Sequence, residues 1–139
     1  MKALAAVIVL ALAFPAQATA RVVAAVPGSA QARTFATRVV PMQGATWLTL
    51  HNTDAAFHGI RSEAIGSDEA SWCGPLNPGA EGPNNPRRFP RGACPLFWSD
   101  LALALGGARP VLGIESLLPG RAYGFICYVH PSMQGALLT

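Results

Sequence analysis

Apolar and polar positions alternate over short stretches of this chain, and turn residues separate the stretches. Arg21-Val22-Val23 opens one run and Thr34 to Val40 continues it, with Pro27-Gly28-Ser29 as the turn between them. Ala45 to Asn52 reads as a strand, with Trp47, Thr49 and His51 on one face and Leu48 and Leu50 on the other. Asn52-Thr53-Asp54 signals a turn before Phe57-His58-Gly59-Ile60. Ser99 to Gly107 fits two patterns: Leu101, Leu103 and Leu105 recur with the strand period, while Asp100 and the glycines suit helix caps. Val111 to Ser116 predicts a strand, and Leu118-Pro119-Gly120-Arg121 a type II turn. The clearest strand is Ala122 to Val129, and Gln134 to Leu138 forms a last short one. Many short strands with almost no helical period predict an all-β fold, an antiparallel β-sandwich.

Composition breaks this pattern twice. Half of the twelve prolines fall between Cys73 and Pro95, a density that neither helix nor ladder tolerates, so 73–95 is expected to be a long Pro/Gly-rich insertion loop. Cys73 and Cys94 bracket it; no histidine lies near enough in sequence to suggest a second metal site, which favours a disulfide contributing about 3 kcal/mol. The second break is at the start. Lys2, the apolar run Ala3 to Phe14 and the small-residue ending Ala18-Thr19-Ala20 have the order of a cleaved export signal, and the run is too short to span a bilayer. Residues 1–20 are therefore expected to leave, and residues 21–139 to form one domain, periplasmic or secreted, without an integral membrane segment. Nine arginines then face seven acidic residues, a net charge of +2 that argues against a strongly basic nucleic-acid binder. In an oxidising compartment the third cysteine, Cys127, is left without an internal partner and needs another explanation.

Its neighbours offer one. Cys127, His130 and Met133 form C-x-x-H-x-x-M across a strand, loop and strand, supplying a thiolate, an imidazole and a thioether. That donor set suits copper better than any hard cation. Pro131 stiffens the loop. A second imidazole would complete a His2Cys set with a weak axial Met, the type 1 or blue-copper arrangement. His58, placed at a strand end, is the candidate; His51, within a strand, reads as a structural or surface histidine.

The run Tyr123-x-Phe125-x-Cys127-x-x-His130-Pro131-x-Met133-x-Gly135, with the upstream turn Leu118-Pro119-Gly120, resembles the C-terminal signature of the cupredoxins, the plastocyanin and azurin group. The two residues between His130 and Met133 make the ligand loop most similar to that of the amicyanins. Asn52 to His58 resembles the segment that carries the family's first histidine ligand. The resemblance implies a Greek-key sandwich of about eight strands, one type 1 copper ion near one end, and His58, Cys127, His130 and Met133 as its ligands. It departs at Gly59, where the family often has an Asn that braces the copper loop. The 73–95 insertion is a second departure.

The function that follows is electron carriage without enzyme activity, since no general base and no substrate position are evident. Redox proteins would dock on a small apolar patch near His130 that includes Val129 and Pro131. The chain is expected to act as a monomer. A copper-delivery protein of the same fold is the alternative, motivated by Gly59 and the insertion; a metal-free module is a third. Met133 has core packing as its bland alternative, and Cys127 could be a small core residue. Asp54, Glu63, Asp68 and Glu69 read as an ordinary solvated loop, and Trp47, Trp72 and Trp98 as packing residues.

Overall fold

A computed structural model describes residues 21–43, 45–66 and 94–139. The expected export signal, nearly all of the insertion with Cys73, and Asp68, Glu69 and Trp72 just before it lie outside the described residues. Eight strands follow in chain order: β1 (Arg21–Ala25), β2 (Val39–Pro41), β3 (Leu48–Asn52), β4 (Ile60–Ser62), β5 (Trp98–Ser99), β6 (Gly107–Leu112), β7 (Ala122–Cys127) and β8 (Gln134–Leu138). They form one hydrogen-bonded order, β1-β3-β6-β5-β4-β7-β8-β2. Only β4 and β5, β5 and β6, and β7 and β8 are both consecutive in sequence and hydrogen-bonded to each other, so the other connections cross over, as in a Greek key. The sheet folds over until its end strands β1 and β2 lie beside each other. The result is the expected all-β sandwich.

Period-two burial drives this closure. Val23 and Ala25 of β1, Leu48 and Leu50 of β3, Ile60 of β4, Phe125 and Cys127 of β7, and Leu137 of β8 all point into one core. Each large apolar side chain buried this way contributes roughly 1.5–3 kcal/mol. Proline positions mark where ladders stop. Pro41 sits on the end strand β2. Pro110 pairs with Thr49 on one side, but β5 reaches only Leu112 and Val111 on the other, so no donor is missed there.

Several local expectations are corrected. Two strand pairs, β1 with β3 and β2 with β8, are parallel. Residues Ser29–Ala32 form a single helical turn, α1, behind Gly28 at φ 88°, and residues 34–38 are irregular. Between Ser99 and Gly107 the chain is neither helix nor strand: β5 ends at Ser99, Ala102 makes an isolated bridge to His58, and a turn leads into β6. The leucines mislead because Ala102 fills the buried place while Leu103 and Leu105 face solvent. The strand expected at Val111–Ser116 is displaced: β6 ends at Leu112, Gly113 turns with φ 89°, and Ile114–Ser116 coil into a 3-10 turn.

Candidate metal centre

β7 delivers Cys127 to one end of the sandwich with its sulfur inside the core and no exposure. The chain then turns through Tyr128 to Ser132 and returns as β8. Backbone hydrogen bonds fix the turn: the Cys127 amide donates to the Met133 carbonyl at 2.9 Å, and the Met133 amide to the His130 carbonyl at 2.8 Å. His58 precedes β4, and its amide and carbonyl both pair with Ala102. These two anchored segments bring His58 Nδ1 and His130 Nδ1 each to 3.7 Å from Cys127 Sγ. One donor atom from each of the three residues lies within 4.8 Å of the others. Cys127 and His58 are buried and His130 is partly exposed. Met133, on the same loop, is fully buried against the core. His51, by contrast, faces solvent from β3. The fully buried Cys94 lies at the far side of the insertion, and its expected pairing with Cys73 falls outside the described residues.

The donor set fits a thiophilic transition-metal ion. Edges of 3.7 Å are those that two metal–ligand bonds of about 2.0–2.3 Å enclose in an open, near-trigonal arrangement. Electrostatics favour the metal-binding thiolate. Burial alone would raise the Cys127 thiol, but hydrogen bonds from His58, from the backbone of Gly59 and His130, and from the His130 ring outweigh it and bring the group down to about 7. Burial opposes the charged form of His58, while Cys127 and Asp54 favour it more strongly, so its pKa is raised.

Asp54 is the largest correction. Expected in a solvated loop, it is buried, with its carboxylate 3.0 Å from His58 Nε2. Burial would raise its pKa; the bonds from His58 and from the Ala30, Gly28 and Ala55 amides win, and lower it to about 2. Asn52, also taken for a simple turn residue, is buried and knits two loops together. Its side-chain nitrogen donates to the carbonyls of Ala56, Ala102 and Leu103, and its oxygen accepts the Asp54 amide. The sequence held one signal for the carboxylate: aspartate four positions before a histidine, in a segment with turn residues but no helix.

Gly59 has a steric explanation. A Cβ at that position would collide with the Tyr128 ring. Tyr128 donates its amide to the Gly59 carbonyl at 3.0 Å and its hydroxyl to the Ser99 carbonyl at 3.1 Å, and its ring stacks on Trp98 at 6.4 Å. Ser99 in turn accepts the Ile60 amide at 3.0 Å. The residue after Cys127 thus ties its loop to β4 and β5 across the space that a side chain at 59 would occupy. Burial, with Asp100 and Cys127 nearby, pushes the phenol up and keeps it neutral. Gly59→Asn, which introduces the side chain frequent in the family, is therefore expected to destabilise the protein by about 1–3 kcal/mol through overpacking. Chemical denaturation measures this, and a variant as stable as wild type would refute it.

Fold and site together define a small β-sandwich with a soft-metal donor set at one end. Solved structures give this architecture its name. An azurin (Az-iso2) from Methylomonas sp. strain J superposes with a TM-score of 0.51 at 20% identity, covering 86% of this chain and 95% of that one. Auracyanin A from Chloroflexus aurantiacus, described as a "blue" copper protein, superposes with a TM-score of 0.52 at 15% identity, covering 86% of this chain and 97% of that one. No protein-family model and no curated protein sequence matches the chain. The chain has the cupredoxin fold.

Proposed function

We propose that this protein binds one type 1 copper ion through His58, Cys127, His130 and Met133 and carries electrons between redox proteins. The observation that supports this most is the pair of imidazole nitrogens 3.7 Å from a buried cysteine sulfur, at one end of a cupredoxin fold. Bound copper would supply a one-electron Cu(II)/Cu(I) couple. The chain's own contribution is rigidity. Its donors sit on segments already fixed by backbone hydrogen bonds, so little has to move when the charge of the site changes. Met133, whose amide and carbonyl are both held by the loop's backbone hydrogen bonds, would supply the weaker thioether donor. His130, the partly exposed ligand, is the exit toward a partner. Val129 and Pro131 flank it, and Phe57, Leu103 and Leu105 are exposed on the loops that Asn52 ties to the His58 segment. We assign partner docking to this apolar face, which suits the small interfaces of redox encounters. Export through residues 1–20, a Cys73–Cys94 disulfide and a monomeric state belong to the same reading. No helix among the described residues is long and apolar enough to cross a membrane.

Copper delivery would need a site that exchanges its ion readily, a reading motivated by the absent Asn at Gly59 and by the 73–95 insertion. The packing of Tyr128 over Gly59 favours the carrier instead. Copper titration followed by visible and EPR spectra, then voltammetry, tests the proposal. The expected result is one equivalent bound, an intense visible band, a narrow copper hyperfine splitting and a reversible couple. A colourless complex, or ready loss of copper to a mild chelator, would count against it.

A further inference from the structure

The carboxylate behind His58 has more donors than a turn aspartate needs. Asp54 Oδ1 accepts the Gly28 amide at 3.1 Å and the Ala55 amide at 2.9 Å, and Oδ2 accepts the Ala30 amide at 2.9 Å. His58 Nε2 lies 3.0 Å from the same Oδ2. Three of these four partners are backbone amides, two of them at the start of α1 (Gly28 just before it and Ala30 within it), so the carboxylate position is fixed independently of the histidine. Asp54 is 2% exposed and His58 is fully buried, so no water competes for the contact.

An ionised carboxylate has no proton to give. The bond to His58 therefore requires the hydrogen on Nε2. In the neutral ring, the form that binds a metal, this puts the lone pair on Nδ1, on the side where Cys127 Sγ lies 3.7 Å away. The ring cannot flip without placing a carbon against the carboxylate and losing this bond. We infer that Asp54 is a positioning residue: it holds His58 in the Nε2–H form with Nδ1 free for the metal, and its buried negative charge sets the reduction potential of the centre.

This inference rests on the copper reading above and adds a residue that touches no metal. A fixed anion behind one ligand stabilises the oxidised ion, which carries the larger positive charge, more than the reduced ion. Removing the charge while keeping the shape must then raise the potential. The Gly28 and Ala30 contacts carry the consequence further, because the start of α1 becomes part of the centre's support although it supplies no ligand.

Asp54→Asn in the full copper-loaded chain is the direct test. The expected result is a visible band that persists, showing Cys127 still bound, together with a Cu(II)-to-Cu(I) affinity ratio at least tenfold lower. For a one-electron couple this is a rise of about 59 mV. Cu(II) dissociation to a chelator should accelerate about 10–100-fold. Asp54→Glu, which keeps the charge, should restore part of the shift. An Asp54→Asn protein that keeps the band with an unchanged potential overturns the role of Asp54 while leaving the copper reading intact. Wild-type protein that never develops the band overturns the copper reading and this inference with it. A variant too unstable to isolate does not block the test, because nitrogen-15 NMR of wild-type Cu(I) protein reads the His58 tautomer directly. A proton on Nε2 supports the inference, and a bare Nε2 refutes it.

Discussion

Cys127→Ser is expected to abolish the visible band of the copper-loaded protein and to weaken copper binding by more than the 10–100-fold typical of losing an outer partner. The reasoning is chemical. A thiolate is a soft, charge-donating ligand, and its bond to Cu(II) produces the intense absorption. A serine hydroxyl is hard and stays protonated near neutral pH, so it supplies neither the donor softness nor the negative charge. At Cys127 the protein also works to favour the ionised thiol, through His58, the Gly59 and His130 backbone and the His130 ring. None of that stabilisation transfers to an alcohol. The fold should survive, since the side chain is nearly isosteric and its backbone bond to Met133 remains. Absorption spectra and competition with a chelator measure the effect, and circular dichroism verifies the fold. A serine variant that stays coloured would remove Cys127 from the ligand set.

Phe125→Ala should cost about 3–5 kcal/mol in unfolding free energy, the range for deleting a fully buried aromatic ring. Phe125 is two residues before Cys127 on the same face of β7. Its ring lies 5.5 Å from that of Phe35 and rests against Gly135, where even a Cβ would overlap it. Phe35 in turn faces the His58 ring at 6.3 Å. These mutually tilted rings form the floor beneath the candidate centre. A cavity there cannot collapse easily, because the glycine side has no atoms to move inward. Denaturant unfolding of the apo protein is the measurement, and a loss below about 1 kcal/mol would show that the floor carries little. Copper should recover part of the loss, since a ligand that binds only the folded state adds stability by mass action.

Strand patterns with strong alternation survived folding best. β3, β7 and β8 sit close to where periodicity placed them, because one face of each is apolar and must be buried. Failures cluster where burial is decided by a partner far along the chain. The leucines at 101–105 kept the strand period, yet His58 pairs with Ala102 and turns the leucines outward. Val111 to Ser116 was apolar enough for a strand, but Gly113 breaks it at a positive φ. The candidate ligands followed the same division. Cys127, His130 and Met133 share one loop, so their spacing alone made the constellation legible. His58 lies far from them along the chain, so only its place at a strand end and the resemblance to the cupredoxins single it out. Asp54 departs furthest from its expected solvated place, because its burial depends on the amides of Gly28 and Ala30, which converge on it from a distant part of the chain.

By itself the sequence determined the period-two strands, the odd number of cysteines, and a soft donor set within one short loop. These are local properties, set by side chains a few residues apart. Tertiary structure decided which histidine joins Cys127, what holds that histidine, and why position 59 is glycine. Each of those answers depends on groups separated by many positions: Asp54 with Gly28 and Ala30, His58 with Cys127, Tyr128 with Gly59 and Ser99. Such groups meet only when the crossovers of the sandwich close, and the directional bonds between them act only at contact distance.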